Sequence, residues 1–103
     1  MIYQIKYSAY ALLDLDKIYN EVYNSSLDHN IASNYINGIM DKIKEKEEFP
    51  ESGTPLYIFG TNTECRYVIY KSYIAIYGVR DNSVLVYRII YMKSDYRKIL
   101  NTK

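Results

Sequence analysis

The first residues alternate. Ile2, Gln4 and Lys6 interleave with Tyr3, Ile5 and Tyr7, and this β-branched and aromatic content predicts a short strand. Ser8 is next, an expected N-cap, its hydroxyl placed to accept from an early helix N–H. The period then lengthens. Leu12, Leu15, Ile18, Tyr19 and Val22 recur at three and four residues, which puts them on one face of a helix running to about Asn24. Asp14, Asp16, Lys17 and Glu21 fall mostly elsewhere on that helix. Asn24, Ser25 and Ser26 break the pattern, and Asp28 or a neighbour caps the next helix. A second stripe, Ala32, Tyr35, Ile36, Ile39, Met40 and Ile43, predicts that helix from about Asp28 to Glu48. The short break between the two implies an antiparallel helix hairpin. Gly38 costs the second helix about 1 kcal/mol relative to alanine, and close packing against the first helix is the expected return. Pro50 ends it by removing a donor and restricting Phe49.

Residues 51–63 read as a connector punctuated by Gly53, Pro55, Gly60 and Asn62, with Leu56, Ile58 and Phe59 tying it back to the core. Three strands come close behind: about Glu64 to Tyr70, Tyr73 to Val79, and Val84 to Tyr91. The turns at Lys71–Ser72 and Asp81–Ser83 are short enough for an antiparallel meander. Simple alternation in the last strand sets Leu85, Tyr87, Ile89 and Tyr91 on one face and Val84, Val86, Arg88 and Ile90 on the other. Both faces are largely apolar, as in a strand covered on two sides. Ser94 is placed to cap a final short helix through Leu100. The expected fold class is α+β, in the order β-α-α-β-β-β-α, with an N-terminal helix hairpin packed on a small, mainly antiparallel sheet.

At 103 residues and 49% hydrophobic composition, the chain has the apolar content for one modest core, and residues 1–103 are read as a single domain. No apolar run reaches the length of a membrane span, and the start lacks a signal-peptide pattern; the expected compartment is the cytoplasm, with no membrane partner. The lone cysteine, Cys65, excludes an intramolecular disulfide, and no metal or cofactor motif is present. The net charge of +1 hides an asymmetry: residues 1–59 carry five basic and nine acidic side chains, net −4, whereas residues 60–103 carry eight basic and three acidic, net +5. Contact with a polyanion is therefore expected from the second half. Fourteen tyrosines and no tryptophan supply ring area with hydroxyls that need partners, in a core or on a binding face.

Candidate chemistry is sparse. His29 is the only histidine and falls at the helix break, so a base to activate a serine is lacking. Arg88 is the most informative residue. It sits between Val86 and Ile90 within a strand, so its guanidinium requires a partner, a cleft or solvent. Either an ion pair with a helix carboxylate or a contact to a phosphate- or carboxylate-bearing partner meets that need, because the planar fork donates two parallel hydrogen bonds.

The opening Ile2–Tyr7 with Ser8-Ala-Tyr-Ala-Leu-Leu-Asp14-Leu, the junction Phe49-Pro50-Glu51-Ser52-Gly53, Cys65-Arg66, Tyr73-Ile-Ala-Ile-Tyr77 and Val84 to Asp95 occur in order. Together they resemble the RelE/ParE family of toxins over nearly the whole chain. The resemblance implies a small toxin of a type II toxin–antitoxin system, linked to growth inhibition and plasmid stabilisation and held inactive by a cognate antitoxin protein. One branch of the family cleaves messenger RNA on the ribosome; the ParE branch inhibits DNA gyrase. Arg88-Ile-Ile-Tyr91-Met-Lys93-Ser-Asp95 is closer to the ParE-like pattern Arg-(apolar)₂-His-Gly-Arg-Arg-Asp. Tyr91 stands at the histidine position, Met92 at the glycine, Lys93 at an arginine, and Ile74 where an arginine is common in the preceding strand. The expected target-binding residues are Arg66, Arg88, Lys93, Asp95 and Arg97. In a nuclease, the catalytic set is Arg66, Arg88, Tyr91 and Lys93: the cations offset phosphate charge, while Tyr91 orients or transfers a proton. A tyrosine of ordinary pKa, about 10, is a poor base at neutral pH, and no histidine or core-facing glutamate in the second half completes that set. The leading expectation is therefore gyrase inhibition, with a ribosome-dependent messenger RNA endoribonuclease as the alternative and an inactive interaction domain as the third reading.

Overall fold

The computed structural model describes residues 2–93. Strand β1 (Gln4–Tyr7) leads into helices α1 (Ala9–Ser26) and α2 (His29–Lys44), then two 3₁₀ turns (Glu45–Glu47 and Pro50–Ser52), then strands β2 (Thr54–Ile58), β3 (Thr61–Tyr70), β4 (Tyr73–Arg80) and β5 (Ser83–Tyr91). The sheet order is β1-β5-β4-β3-β2. Strand β1 runs parallel to β5, and all other neighbours are antiparallel. The expected α+β architecture, with a helix hairpin on a mainly antiparallel sheet, is the one observed. The final helix expected from Ser94 lies outside the described residues.

Both expected caps form. Ser8 Oγ accepts from the Ala11 N–H at 3.0 Å and donates to the Tyr87 carbonyl at 2.7 Å, so one hydroxyl starts α1 and fastens it to β5. Asp28 Oδ1 accepts from the Asn30 and Ile31 amides and starts α2. Leu27 closes α1 in the left-handed region at φ 55°, which leaves only two residues to reverse the chain. The hairpin packs on one sheet face around Ala11, Leu15, Ile18, Ile39, Ile43, Ala75, Tyr77, Val84, Val86 and Ile89. A second cluster, Leu56, Ile74, Ile76 and Ile90, contains Ile76 and Ile90, whose strand neighbours Tyr77 and Ile89 belong to the helix-side cluster.

Three local readings change. The connector contains β2, because Phe59 (φ 51°) and Gly60 (φ 77°) form a two-residue reversal of the kind that suits a hairpin's twist. Leu56 is buried as expected, whereas Phe59 is 82% exposed at the tip. Second, Gly38 makes room for the ring of Tyr70 in β3, and not for α1; a Cβ there would collide with the Tyr70 hydroxyl end. Third, β5 does not alternate simply. Its register with β4 passes from Ile76↔Arg88 to Tyr77↔Val86, so Tyr87 is the extra residue of a bulge. A bulge shifts side-chain parity by one. Val84, Val86 and Ile89 therefore share the helix side, while Ile90 joins the second cluster.

Candidate functional site

A buried tyrosine explains one of the motifs on structural grounds alone. Tyr77 is fully buried; its hydroxyl donates to the Pro50 carbonyl at 2.7 Å and accepts from the Gly53 N–H at 3.0 Å. A Cβ on Gly53 would overlap that hydroxyl, which accounts for glycine at the end of the Phe49–Gly53 junction. The same junction is held by buried Lys46, whose Nζ donates to Ser52 Oγ, which in turn donates to the Phe49 carbonyl. Burial pushes the Tyr77 phenol above its ordinary value, opposed by the Gly53 N–H and the nearby Arg66 charge.

Arg66 belongs to this arrangement. Its Nη1 donates to the Gly53 carbonyl at 2.9 Å, and it is registered opposite Tyr77.

Arg88 lies elsewhere. Its Nε and Nη2 donate to Asp14 Oδ2 and Oδ1 at 2.8 and 2.9 Å, so the ion pair with a helix carboxylate is realised. The Ile89 N–H also donates to Asp14 Oδ2, at 2.9 Å. This contact has a topological cause. Strand β1 covers β5 only as far as Val86; beyond it, Ser8 N–H takes the Val86 carbonyl, Ser8 Oγ the Tyr87 carbonyl, and Asp14 the Ile89 N–H. The start of α1 thus replaces the missing strand. Asp14 is only 9% exposed. The Tyr10 ring lies 5.5 Å from the Arg88 guanidinium carbon. Hydrogen bonding to Asp14 holds Arg88 above the ordinary guanidinium range, against the opposing effect of burial.

Arg88 and Tyr91 are brought together. They line a cavity of about 130 Å³ between α1 and β5, with Asp14, Lys17, Glu21 and Tyr73. Tyr91 is 44% exposed, and its ring meets Tyr73 edge-on at 5.9 Å. Burial, and then the charge of Glu21, push the Tyr73 phenol upward. Lys93 is exposed just past β5, at the end of the sheet where Met92 N–H bonds the Ser72 carbonyl. Lys71 at that end lies 5.1 Å from the Tyr35 ring centre. Arg66 does not join this group. Its register partner Tyr77 is on the helix side, whereas Arg88 is opposite Ile76 of the second cluster. Asp95 and Arg97 lie outside the described residues.

Asp14 and Glu21 are the residues the sequence pattern passed over. Asp14 has a signal: it stands three residues after Ala11 and four before Ile18, on the buried stripe of α1. An acid on such a stripe requires donors. His29 is exposed, yet it is anchored: Nδ1 is 2.7 Å from the Tyr19 hydroxyl, and the ring stacks on Tyr23 at 4.2 Å. Cys65 is a half-buried free thiol against the second cluster. No helix among the described residues is long and apolar enough to cross a membrane.

A family model described as ParE toxin of the type II toxin–antitoxin system parDE matches residues 5–96. Among solved structures, the chromosomal ParDE system of P. aeruginosa matches with a TM-score of 0.74 and 18% identity, over 89% of this chain and 98% of that one. The toxin–antitoxin complex RelBE2 of Mycobacterium tuberculosis matches at 0.63 and 14%, over 91% and 95%. A conserved hypothetical protein of Helicobacter pylori, solved in solution, matches at 0.57 and 16%, over 91% and 98%. No curated protein matches the chain. At these identities the structural likeness is one of fold.

Proposed function

The chain belongs to the ParE toxin family of type II toxin–antitoxin systems, and from that premise we propose that it inhibits DNA gyrase in the cytoplasm and is neutralised by a cognate antitoxin. The observation that carries the choice of target is the separation of its two strand arginines. Cleavage of RNA through the 2′-hydroxyl needs phosphate charge offset, the attacking hydroxyl deprotonated and the leaving oxygen protonated, all at one place. Arg66 is committed to Gly53 on one side of the sheet and Arg88 to Asp14 beside α1. Tyr91 packs on Tyr73, with no histidine beside it among the described residues. That arrangement suits recognition better than transphosphorylation. Arg88, with Lys93 just past the end of the same strand, is proposed for target contact together with Asp95 and Arg97; Arg66, held at Gly53 apart from them, is proposed as a second, separate contact point.

One observation favours the alternative, a ribosome-dependent messenger RNA endoribonuclease: Arg88 and Tyr91 share a cavity with Lys17, a local cluster of cation and phenol. A single purified preparation decides between the two. It is assayed for inhibition of gyrase supercoiling and for cleavage of messenger RNA on programmed ribosomes. Inhibition without cleavage is expected. Cleavage without inhibition rejects the gyrase reading, and a protein inactive in both assays is the interaction domain.

A further inference from the structure

We propose that Asp14 is the positioning residue of the target contact: it holds the Arg88 fork in one orientation, so that a carboxylate or carbonyl oxygen on a protein partner meets donors already set. This rests on the reading of Arg88 as a target-binding residue.

Three hydrogen bonds converge on one carboxylate. Asp14 accepts two N–H groups from Arg88 and one from the Ile89 backbone. The backbone bond ties the carboxylate to β5, the same strand that carries Arg88. The carboxylate therefore cannot swing away with the arginine; it is fixed at one side and grips at the other. A guanidinium has five N–H groups. Side-on pairing through Nε and Nη2 engages two of them and leaves the Nη1 edge uncommitted to Asp14. The Arg88 side chain keeps 23% of its accessibility, and it lines the cavity that Lys17, Tyr73 and Tyr91 also border.

Two consequences select the partner. The rotamer freedom of a long arginine is lost on folding and not on binding, which favours a directional contact of defined geometry. The pair is also electrically neutral as a unit, so it exerts little long-range pull on a phosphate backbone. It offers instead short-range hydrogen bonding, as a protein surface requires.

The test compares Asp14→Asn, Asp14→Glu and Arg88→Lys in the full chain. Gyrase inhibition, thermal melting and the Arg88 Nε–H NMR signal are measured. Asp14→Asn keeps an oxygen for the Ile89 N–H but loses the charge that grips the fork. Its inhibition midpoint is expected to rise at least tenfold, with the Nε–H signal exchanging rapidly and the backbone spectrum preserved. Arg88→Lys, which retains charge without the fork, is expected to lose inhibition similarly. Asp14→Glu keeps the charge and the acceptors but moves the carboxylate by one methylene; its inhibition midpoint is expected to rise at least tenfold with the backbone spectrum preserved, and it decides the matter if Asp14→Asn alone does not fold. Wild-type inhibition by folded Asp14→Asn, with Arg88→Lys impaired, overturns the positioning role while leaving the Arg88 contact standing. Wild-type inhibition by folded Asp14→Glu likewise assigns Asp14 to stability alone and overturns the proposal. Full inhibition by both Arg88→Lys and Asp14→Asn removes the target-contact reading, and the proposal with it.

Discussion

Tyr77 shows how much a single hydroxyl can hold. It joins Pro50 and Gly53 within the junction between the helical and sheet halves. Tyr77→Phe retains the ring but leaves a buried N–H and carbonyl short of a partner, at a cost of about 1–3 kcal/mol; urea denaturation measures it. The same residue sets an alkaline limit. Its folded pKa is raised, with burial the main cause. The folded state therefore keeps a proton that the unfolded chain releases near its ordinary pKa, about 10. The stabilisation is present in full below that pH and falls as pH rises toward the folded value. Stability of the wild type should decline above about pH 10, and part of that decline should be absent from Tyr77→Phe. Tyr91 is the contrasting case. Its ring is half outside and packs on Tyr73, so Tyr91→Phe should melt within about 0.5 kcal/mol of wild type. Gyrase inhibition should survive that change. If the protein is instead a nuclease using this phenol, messenger RNA cleavage should drop by roughly 10²–10⁴-fold. Arg88→Ala is the less informative change, because it strands the buried Asp14 carboxylate at a cost of about 3–5 kcal/mol. Loss of toxicity in that variant would then report unfolding as readily as lost contact.

At the scale of elements, the contact of α2 with β3 gives a prediction whose sign differs from the usual rule. A glycine-to-alanine change inside a helix ordinarily stabilises by about 1 kcal/mol. At Gly38 the added Cβ meets the Tyr70 ring, so Gly38→Ala should lower the melting temperature. In a Tyr70→Ala background the obstruction is gone, and the same change should raise it. A stabilised single variant would mean that the two elements do not approach so closely. The start of α1 carries a double duty, since Ser8 both caps the helix and bonds β5. Ser8→Ala should cost at least the usual capping contribution of about 1 kcal/mol, and hydrogen exchange should show the loss at Ala11 as well as along the α1–β5 seam.

Across the whole molecule, charge and exposed apolar surface argue for a partner. The first 59 residues are net −4 and the remainder net +5. Tyr10, Leu12, Leu13 and Ile31 of the hairpin stand exposed, Leu12 in spite of its place in the apolar stripe expected for α1; they are a set of apolar side chains that a second protein would cover. The proposed antitoxin is expected to lay a segment that folds on binding over the helical layer and sheet edge, with acidic residues facing the basic half. Co-expression of the toxin with the gene beside it should yield a stoichiometric complex that loosens as salt is raised. Recovery of the toxin alone from its native operon would count against the pairing.

Period, caps and turn residues determined most of the fold, because each acts over a few neighbouring residues. Strand and helix spacing in residues 2–43, Ser8 and Asp28 at the helix starts, and Lys71 and Asp81 in left-handed turns are all local matters. The Phe-Pro-x-x-Gly junction and the Arg88 strand were likewise legible as family features. Asp14, read as lying mostly off the apolar face, is instead on the buried stripe of α1, and its meaning was not legible because its donors lie 74 and 75 positions away. Only the tertiary structure decided what depends on which strands meet. It set β2 within the connector, the partner of Gly38, the bulge at Tyr87, and the sides of the sheet on which Arg66 and Arg88 fall. A bulge leaves no mark in an alternating pattern, because it is defined by two residues facing one on another strand. The same holds for the Arg88–Asp14 pair: an arginine's need for an acceptor is a property of the sequence, whereas the choice of acceptor depends on β1 stopping short along β5.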